Sequence, residues 1–154
     1  MKRSKIWFVL IPLIAVLTGY LLFVLIFGSP SVLRNNHRFK QKALSAAEET
    51  VVLHQLTPFE WDTVYTFSPY TSREEIARCI GFCSRSVQET VSEGMTQLLF
   101  VHEKKVVSSI CGYPSGIGYT VSGMPYAQAI HNCPDSPRFR LYKRGDIVYL
   151  EYLP

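Results

Sequence analysis

Residues 6 to 27 form an uninterrupted apolar run, IWFVLIPLIAVLTGYLLFVLIF, and no charged residue follows until Arg34. As an α-helix, rising about 1.5 Å per residue, these 22 residues extend about 33 Å, close to the roughly 30 Å of a bilayer's hydrocarbon core. The run predicts a retained transmembrane helix, which divides the chain into an anchor and one further domain. A cleaved signal peptide is the competing reading. The basic start MKRSK fits it, but the apolar stretch exceeds the 7–15 or so residues of a signal, and Gly28-Ser29-Pro30-Ser31 is not a small-x-small cleavage site. Pro12 and Gly19 are tolerated inside membrane helices.

Orientation rests on the flanking charges. Lys2, Arg3 and Lys5 touch the start of the run, whereas Arg34, Arg38, Lys40 and Lys42 begin seven residues beyond Phe27. The nearer cluster decides for a cytoplasmic N-terminus. The expected layout is a cytoplasmic tail over 1–5, a span over 6–27, a basic juxtamembrane linker over 28–42 and an extracytoplasmic domain over 43–154. The corresponding address is a single-pass inner-membrane protein with its domain in the periplasm or outside the cell.

The net charge of +4 conceals an asymmetry. Residues 1–42 carry seven Lys/Arg and no acid; residues 43–154 carry nine Lys/Arg against twelve Asp/Glu, so the two parts are +7 and −3. A mildly acidic domain argues against a nucleic-acid partner. The basic residues of segment 2–42 suit anionic lipid headgroups, each worth about 1 kcal/mol near the surface. A solvated linker is the alternative.

Cys79, Cys83, Cys111 and Cys133 form an even set outside the apolar run. In an oxidising compartment they predict two disulfides. Cys79–Cys83 with Cys111–Cys133 is the preferred pairing, and crossed pairings stay open, because a four-residue helical spacing suits bridge geometry poorly. A zinc site built with His131 lacks the usual ligand spacing.

Local signals give an α+β domain with an antiparallel sheet and one main helix. Ser45-Ala-Ala-Glu48 reads as a capping box that opens a short helix, against a strand-like Thr50-Val51-Val52. Val64–Phe67 reads as a strand stopped by Pro69. Ser72 and Glu75 form a second capping box that opens a helix over 73–82, with an apolar stripe of Ile76, Cys79, Ile80 and Cys83. Residues 84–96 are polar and loop-like. Leu98–His102 with Val106–Ile110, and Phe139–Tyr142 with Ile147–Tyr152, read as hairpins, the second turning at Gly145. The Gly- and Pro-rich stretch 112–136 contains one short strand near Tyr119–Val121.

The densest feature is the segment Pro58 to Thr71, with five aromatic residues between Phe59 and Tyr70. Here the chain resembles a set of small bacterial envelope proteins and lipoproteins that carry a W-D-x-V-Y-x-F-x-P-Y-T-S segment. The matching residues are Trp61, Asp62, Val64, Tyr65, Phe67, Pro69, Tyr70, Thr71 and Ser72. The resemblance implies an envelope domain and brings no activity with it. Physically, the segment reads first as core and corner. Its second reading is a binding surface of Glu60, Trp61, Asp62, Tyr65 and Tyr70, aromatic with an acidic rim.

No catalytic set, cofactor motif or metal cluster stands out. His54, His102 and His131 are scattered. Glu60 and Asp62 share a strand face as a nominal acid/base pair, but carboxylates ahead of a strand usually cap backbone. Arg144-Gly145-Asp146 has the composition of a hairpin turn. The glycines of 112–123 lack a phosphate-loop pattern. The expected function is therefore a non-catalytic binding or accessory protein of the envelope, with another envelope protein as partner. An enzyme with a site in loops 84–96 and 112–136, or a structural protein acting through its apolar helix, are the alternatives.

Overall fold

The computed structural model describes residues 3–27, 29–134 and 137–154. The chain divides into two units, Met1–Pro30 and Ser31–Pro154.

The first unit is helix α1, Arg3–Phe27, with Pro12 inside it and Thr18 Oγ1 donating to Ile14 O at 2.8 Å. Among the described residues, no helix is long and apolar enough to cross a membrane. Ile6, Phe23 and Leu25 to Phe27, which the span reading used, have side chains outside the described residues. The span over 6–27 is corrected accordingly, and with it the single-pass membrane address.

The second unit begins where the sequence suggested a linker. Helix α2 occupies Pro30–Ser45 and buries Val32, Phe39 and Ala43. With Asn36 these positions recur at helical spacing on one face, and Arg34, Arg38 and Lys42 stay exposed on the others. Ser45 thus ends a helix rather than capping the start of one. Its Oγ donates back to Lys42 O at 3.1 Å.

After α2 come β1 (Thr50–Val52), the short α3 (Leu53–Leu56), β2 (Thr63–Tyr65), α4 (Arg73–Ile80), β3 (Thr96–His102), β4 (Lys105–Gly112), α5 (Pro114–Ile117), β5 (Tyr119–Ser122), β6 (Ile130–His131), β7 (Arg138–Arg144) and β8 (Ile147–Leu153). They build two four-stranded sheets, ordered β1-β7-β8-β5 and β4-β3-β2-β6. The α+β class holds. The expected single antiparallel sheet does not, because the strands divide between two sheets and β5 joins β8 in parallel, with Tyr119 opposite Val148.

Strand β3 explains the layering. Its run Leu98-Leu99-Phe100-Val101 is apolar at every position, the pattern of a strand buried on both faces. Leu98 and Phe100 enter one core with Phe139, Leu141, Val148 and Leu150 of the other sheet and Phe39 of α2. Phe39 lies 5.7 Å from Phe100 and 5.5 Å from Tyr119, centroid to centroid. Leu99 and Val101 face the opposite way, into a second cluster with Tyr65, Phe67 and Val87, capped by Ile76 of α4.

Helix α4 forms as its capping box predicts. Ser72 Oγ accepts from Glu75 N–H at 3.2 Å, Ser72 N–H donates to Glu75 Oε2 at 2.9 Å, and Gly81 ends the helix at φ +85°. Of the expected stripe, Ile76 is fully buried and Ile80 partly so, while Cys79 and Cys83 are exposed.

The disulfide expectation is also corrected: all four cysteines are free. Each sulfur sits in its own setting. Cys79 Sγ donates to Ala127 O at 3.3 Å and Cys111 Sγ to Glu89 O at 3.5 Å. Cys83 lies beyond the helix-ending turn, and Cys133 follows β6 on the surface. Two thiols satisfied by separate carbonyls have no geometric reason to pair.

Candidate functional site

The aromatic segment divides between interior and surface. Trp61 is 3 % exposed, donates Nε1–H to Thr57 Oγ1 at 2.7 Å and meets Phe100 edge-on at 5.4 Å. Tyr65 is buried and stacks on Phe67 at 6.0 Å. Neither ring is available to a partner. Tyr70 is exposed in a left-handed conformation, φ +66°, and Glu60 projects into solvent. The five residues grouped from sequence as a candidate surface therefore do not form one.

Asp62 binds across the chain. Its Oδ2 accepts from Glu103 N–H at 2.7 Å, and its Oδ1 lies 2.9 Å from His102 Nδ1. Its backbone N–H donates to Val101 O at 2.8 Å, and its carbonyl accepts from Asn132 N–H at 2.8 Å. Glu103 and Lys104 form the β3–β4 turn with φ of +45° and +58°, a pair of left-handed residues that hairpin geometry demands and that side chains with a Cβ resist. The Asp62 carboxylate offsets that cost by satisfying the turn's free N–H.

The charges respond as this geometry requires. The Glu103 N–H, then the His102 ring, hold the Asp62 carboxyl below its ordinary value. The Asp62 hydrogen bond raises His102 above its ordinary 6.5, against an opposing contribution from desolvation. His102 Nε2 faces Glu60 Oε2 at 3.6 Å. The imidazole thus has a carboxylate at each nitrogen, and among the described residues no hydroxyl or thiol bonds to it. That arrangement holds a positive charge; it does not activate a nucleophile.

The remaining sequence-flagged groups stay apart. His54 sits on α3, and His131 on β6 opposite Thr63. Among the described residues, no group of three or more His, Cys, Asp or Glu could hold a metal ion.

A surface that the sequence reading passed over lies on the β1-β7-β8-β5 sheet. Phe139, Leu141, Val148 and Leu150 point into the core, so their neighbours point out: Arg138, Arg140, Tyr142 and Arg144 on β7, Tyr149, Glu151 and others on β8. The register places Tyr142 opposite Tyr149, and the rings stack at 5.1 Å with planes 6° apart. The Arg144 guanidinium lies over both, 5.2 Å and 5.7 Å from their centroids. Arg140 pairs with Glu151 across the strands at 3.6 Å. Neither core cluster covers this face. The signal was present: Arg-x-Arg-x-Tyr-x-Arg alternates before a Gly145-Asp146 turn, and Gly145, at φ +58°, fixes the register that brings the tyrosines together.

No family model matches the chain, and neither the curated proteins nor the solved structures contain a match to it.

Proposed function

We propose that this chain is a non-catalytic binding module, and that an acidic protein surface docks on the outer face of the β1-β7-β8-β5 sheet. The observation that carries the reading is the stacked Tyr142–Tyr149 pair under Arg144 on an uncovered sheet face. Tyrosine and arginine dominate the residues that contribute most at protein interfaces, because they present large, rigid contact area with a polar or charged end. Charge complementarity selects the partner. The outward row contributes Arg138, Arg140 and Arg144, and its one acid in these strands, Glu151, is already matched by Arg140. The Asp62–His102 corner supports the same reading from the other side. Asp62 and His102 spend their hydrogen bonds on a turn and on each other.

The test places a photo-crosslinking amino acid at Ile147, beside the tyrosine pair, and at Arg78 on α4 as a control. The expected result is a discrete crosslink from position 147 alone. It is lost in Arg144→Glu and restored when the contacting acid of the partner is changed to lysine. Crosslinking that is the same from both positions, or that ignores Tyr149→Ala and Arg144→Glu, refutes the docking surface.

A further inference from the structure

Between α4 and β3, residues 84–95 form no helix or strand, yet they lie against the β4-β3-β2-β6 sheet as a strap. The strap crosses the face of β3 and β4 that carries Gln97, Leu99, Ser109 and Cys111. Register and alternation bring these four side chains together, with Gln97 opposite Cys111 and Leu99 opposite Ser109. The strap is held by three consecutive carbonyls of its own. Gln88 O accepts from Gln97 Nε2 at 2.6 Å, Glu89 O from Cys111 Sγ at 3.5 Å, and Thr90 O from Tyr70 N–H at 2.8 Å. Val87, 1 % exposed, is the apolar side chain that the strap sends into the cluster of Tyr65, Phe67, Ile76 and Leu99.

Two polar atoms are stranded on this face. Gln97 Oε1 and Ser109 Oγ are buried with no hydrogen-bond partner among the described residues. The pairing of β3 with β4 makes the two residues diagonal neighbours on the same side of the sheet. A buried polar atom without a partner costs the hydration it has lost, and native interiors keep few of them. The closed strap carries both. What holds it down is modest by comparison: one valine plug and three bonds, one of them from a thiol, which is a weak donor. The sheet beneath has its own support, because the Ser109 peptide group is held by Asn36 of α2 and not by the strap.

We propose that residues 84–95 are a lid that lifts from the β3–β4 face as a unit while both sheets stay folded. Lifting exchanges three carbonyl bonds for bonds to water at little net cost and bares one valine. In return it hydrates both stranded atoms. Closed and open forms are therefore near in free energy, and the lid opens far below global unfolding, as segments with few buried apolar contacts do. The open form presents Gln97, Ser109 and Cys111 side by side, a polar stripe with a thiol that the closed form hides. This stripe lies on the sheet that does not carry Tyr142 and Tyr149, so the lid and the docking surface stand or fall separately.

Native-state hydrogen exchange on the full chain, followed by NMR in low urea, tests the lid. The Tyr70 amide reports opening, because its acceptor sits on the lid, and the Phe100 amide in the middle of the sheet reports global unfolding. Tyr70 is expected to exchange at least about tenfold faster than Phe100 and with a shallower dependence on urea. Ser109→Ala removes one stranded atom and leaves the strand's backbone bonds in place. It is expected to slow Tyr70 exchange by about fivefold or more, the reverse of what a lost hydrogen bond would do. Val87→Cys sets a thiol on the plug, and its alkylation is expected at the opening frequency that Tyr70 reports. Tyr70 exchange that matches Phe100 in rate and urea dependence shows a single cooperative unit and overturns the lid. So does a Ser109→Ala chain in which Tyr70 exchange is unchanged or faster. A Val87→Cys thiol that resists alkylation while Tyr70 exchanges confines the motion to the Tyr70 turn and overturns it as well.

Discussion

Asn36 pairs with Ser109 as a neighbouring strand would. Its Nδ2 donates to Ser109 O at 2.7 Å, and its Oδ1 accepts from Ser109 N–H at 3.0 Å. The same Oδ1 accepts from Ser108 Oγ at 2.7 Å, and Asn35 Nδ2 donates to Val107 O, two residues back along β4, at 2.8 Å. β4 is an edge strand of its sheet, and unpaired edges recruit other chains. Two consecutive asparagines on α2 thus close an edge that would otherwise stay open.

Asn36→Ala is expected to destabilise the domain by about 1–3 kcal/mol, since it strands two part-buried backbone groups of Ser109. Asn36→Asp keeps the acceptor but sets a carboxylate against the Ser109 carbonyl, and is expected to cost at least as much. Urea denaturation gives the stability, and light scattering gives the second consequence: increased self-association through the opened β4 edge. A wild-type midpoint in Asn36→Ala removes the strand-mimic role.

The Asp62–His102 pair makes stability depend on pH in two directions. His102 has its folded value raised above 6.5, so its contribution is complete below 6.5 and is lost as pH rises through the raised value. Asp62 has its folded value lowered from 3.8, so its contribution is complete above 3.8 and is lost as pH falls through the lowered value. The turn is therefore firmest between about 3.8 and 6.5. Melting temperatures across pH are expected to show an alkaline decline that His102→Phe flattens. An unchanged decline in that variant assigns it elsewhere. Replacing Glu103-Lys104 by Asn-Gly relieves the left-handed strain. It is expected to return about 1 kcal/mol even in an Asp62→Asn background.

Trp61 anchors the core from a loop. Trp61→Ala removes a buried ring and is expected to cost about 3–5 kcal/mol. Trp61→Phe keeps most of the volume, loses the Nε1–H bond to Thr57 and is expected to cost about 1–2 kcal/mol. Guanidinium melts followed by far-UV circular dichroism separate the two. A Trp61→Ala domain of wild-type stability contradicts the burial.

What the sequence disclosed follows from how local each cause is. The capping box at Ser72, the two hairpins and the turn at Gly145 are set by residues a few positions apart, and they appear where expected. Helix α2 was hidden because its inward face mixes Val32, Phe39 and Ala43 with Asn35 and Asn36, which read as loop residues until their partners on β4 are known. The parallel β5–β8 pairing and the Asp62–His102 contact join residues about 30 and 40 positions apart, beyond any local pattern. The cysteines misled for a related reason: an even count suggests pairing, and only tertiary placement shows each sulfur facing its own carbonyl or solvent. The outward row of β7 was legible, because alternation and turn position are both in the sequence.

Free thiols make a last prediction that distinguishes the sites from one another. Mass spectrometry after alkylation without reductant is expected to find modified Cys79, Cys83, Cys111 and Cys133 and no linked peptides. The rates should differ, because the thiolate is the reactive form. Burial pushes the Cys79 and Cys111 thiols up, and Cys111 is also partly covered in β4 with its Sγ engaged by Glu89 O. Cys83 and Cys133 are exposed. At neutral pH they are expected to react first, Cys79 next and Cys111 last, and mild urea that loosens β4 should narrow the gap for Cys111. Cys111 reacting as fast as Cys83 in the native protein would show that β4 does not shelter it, and a peptide joining any two of the four would refute the free-thiol assignment itself.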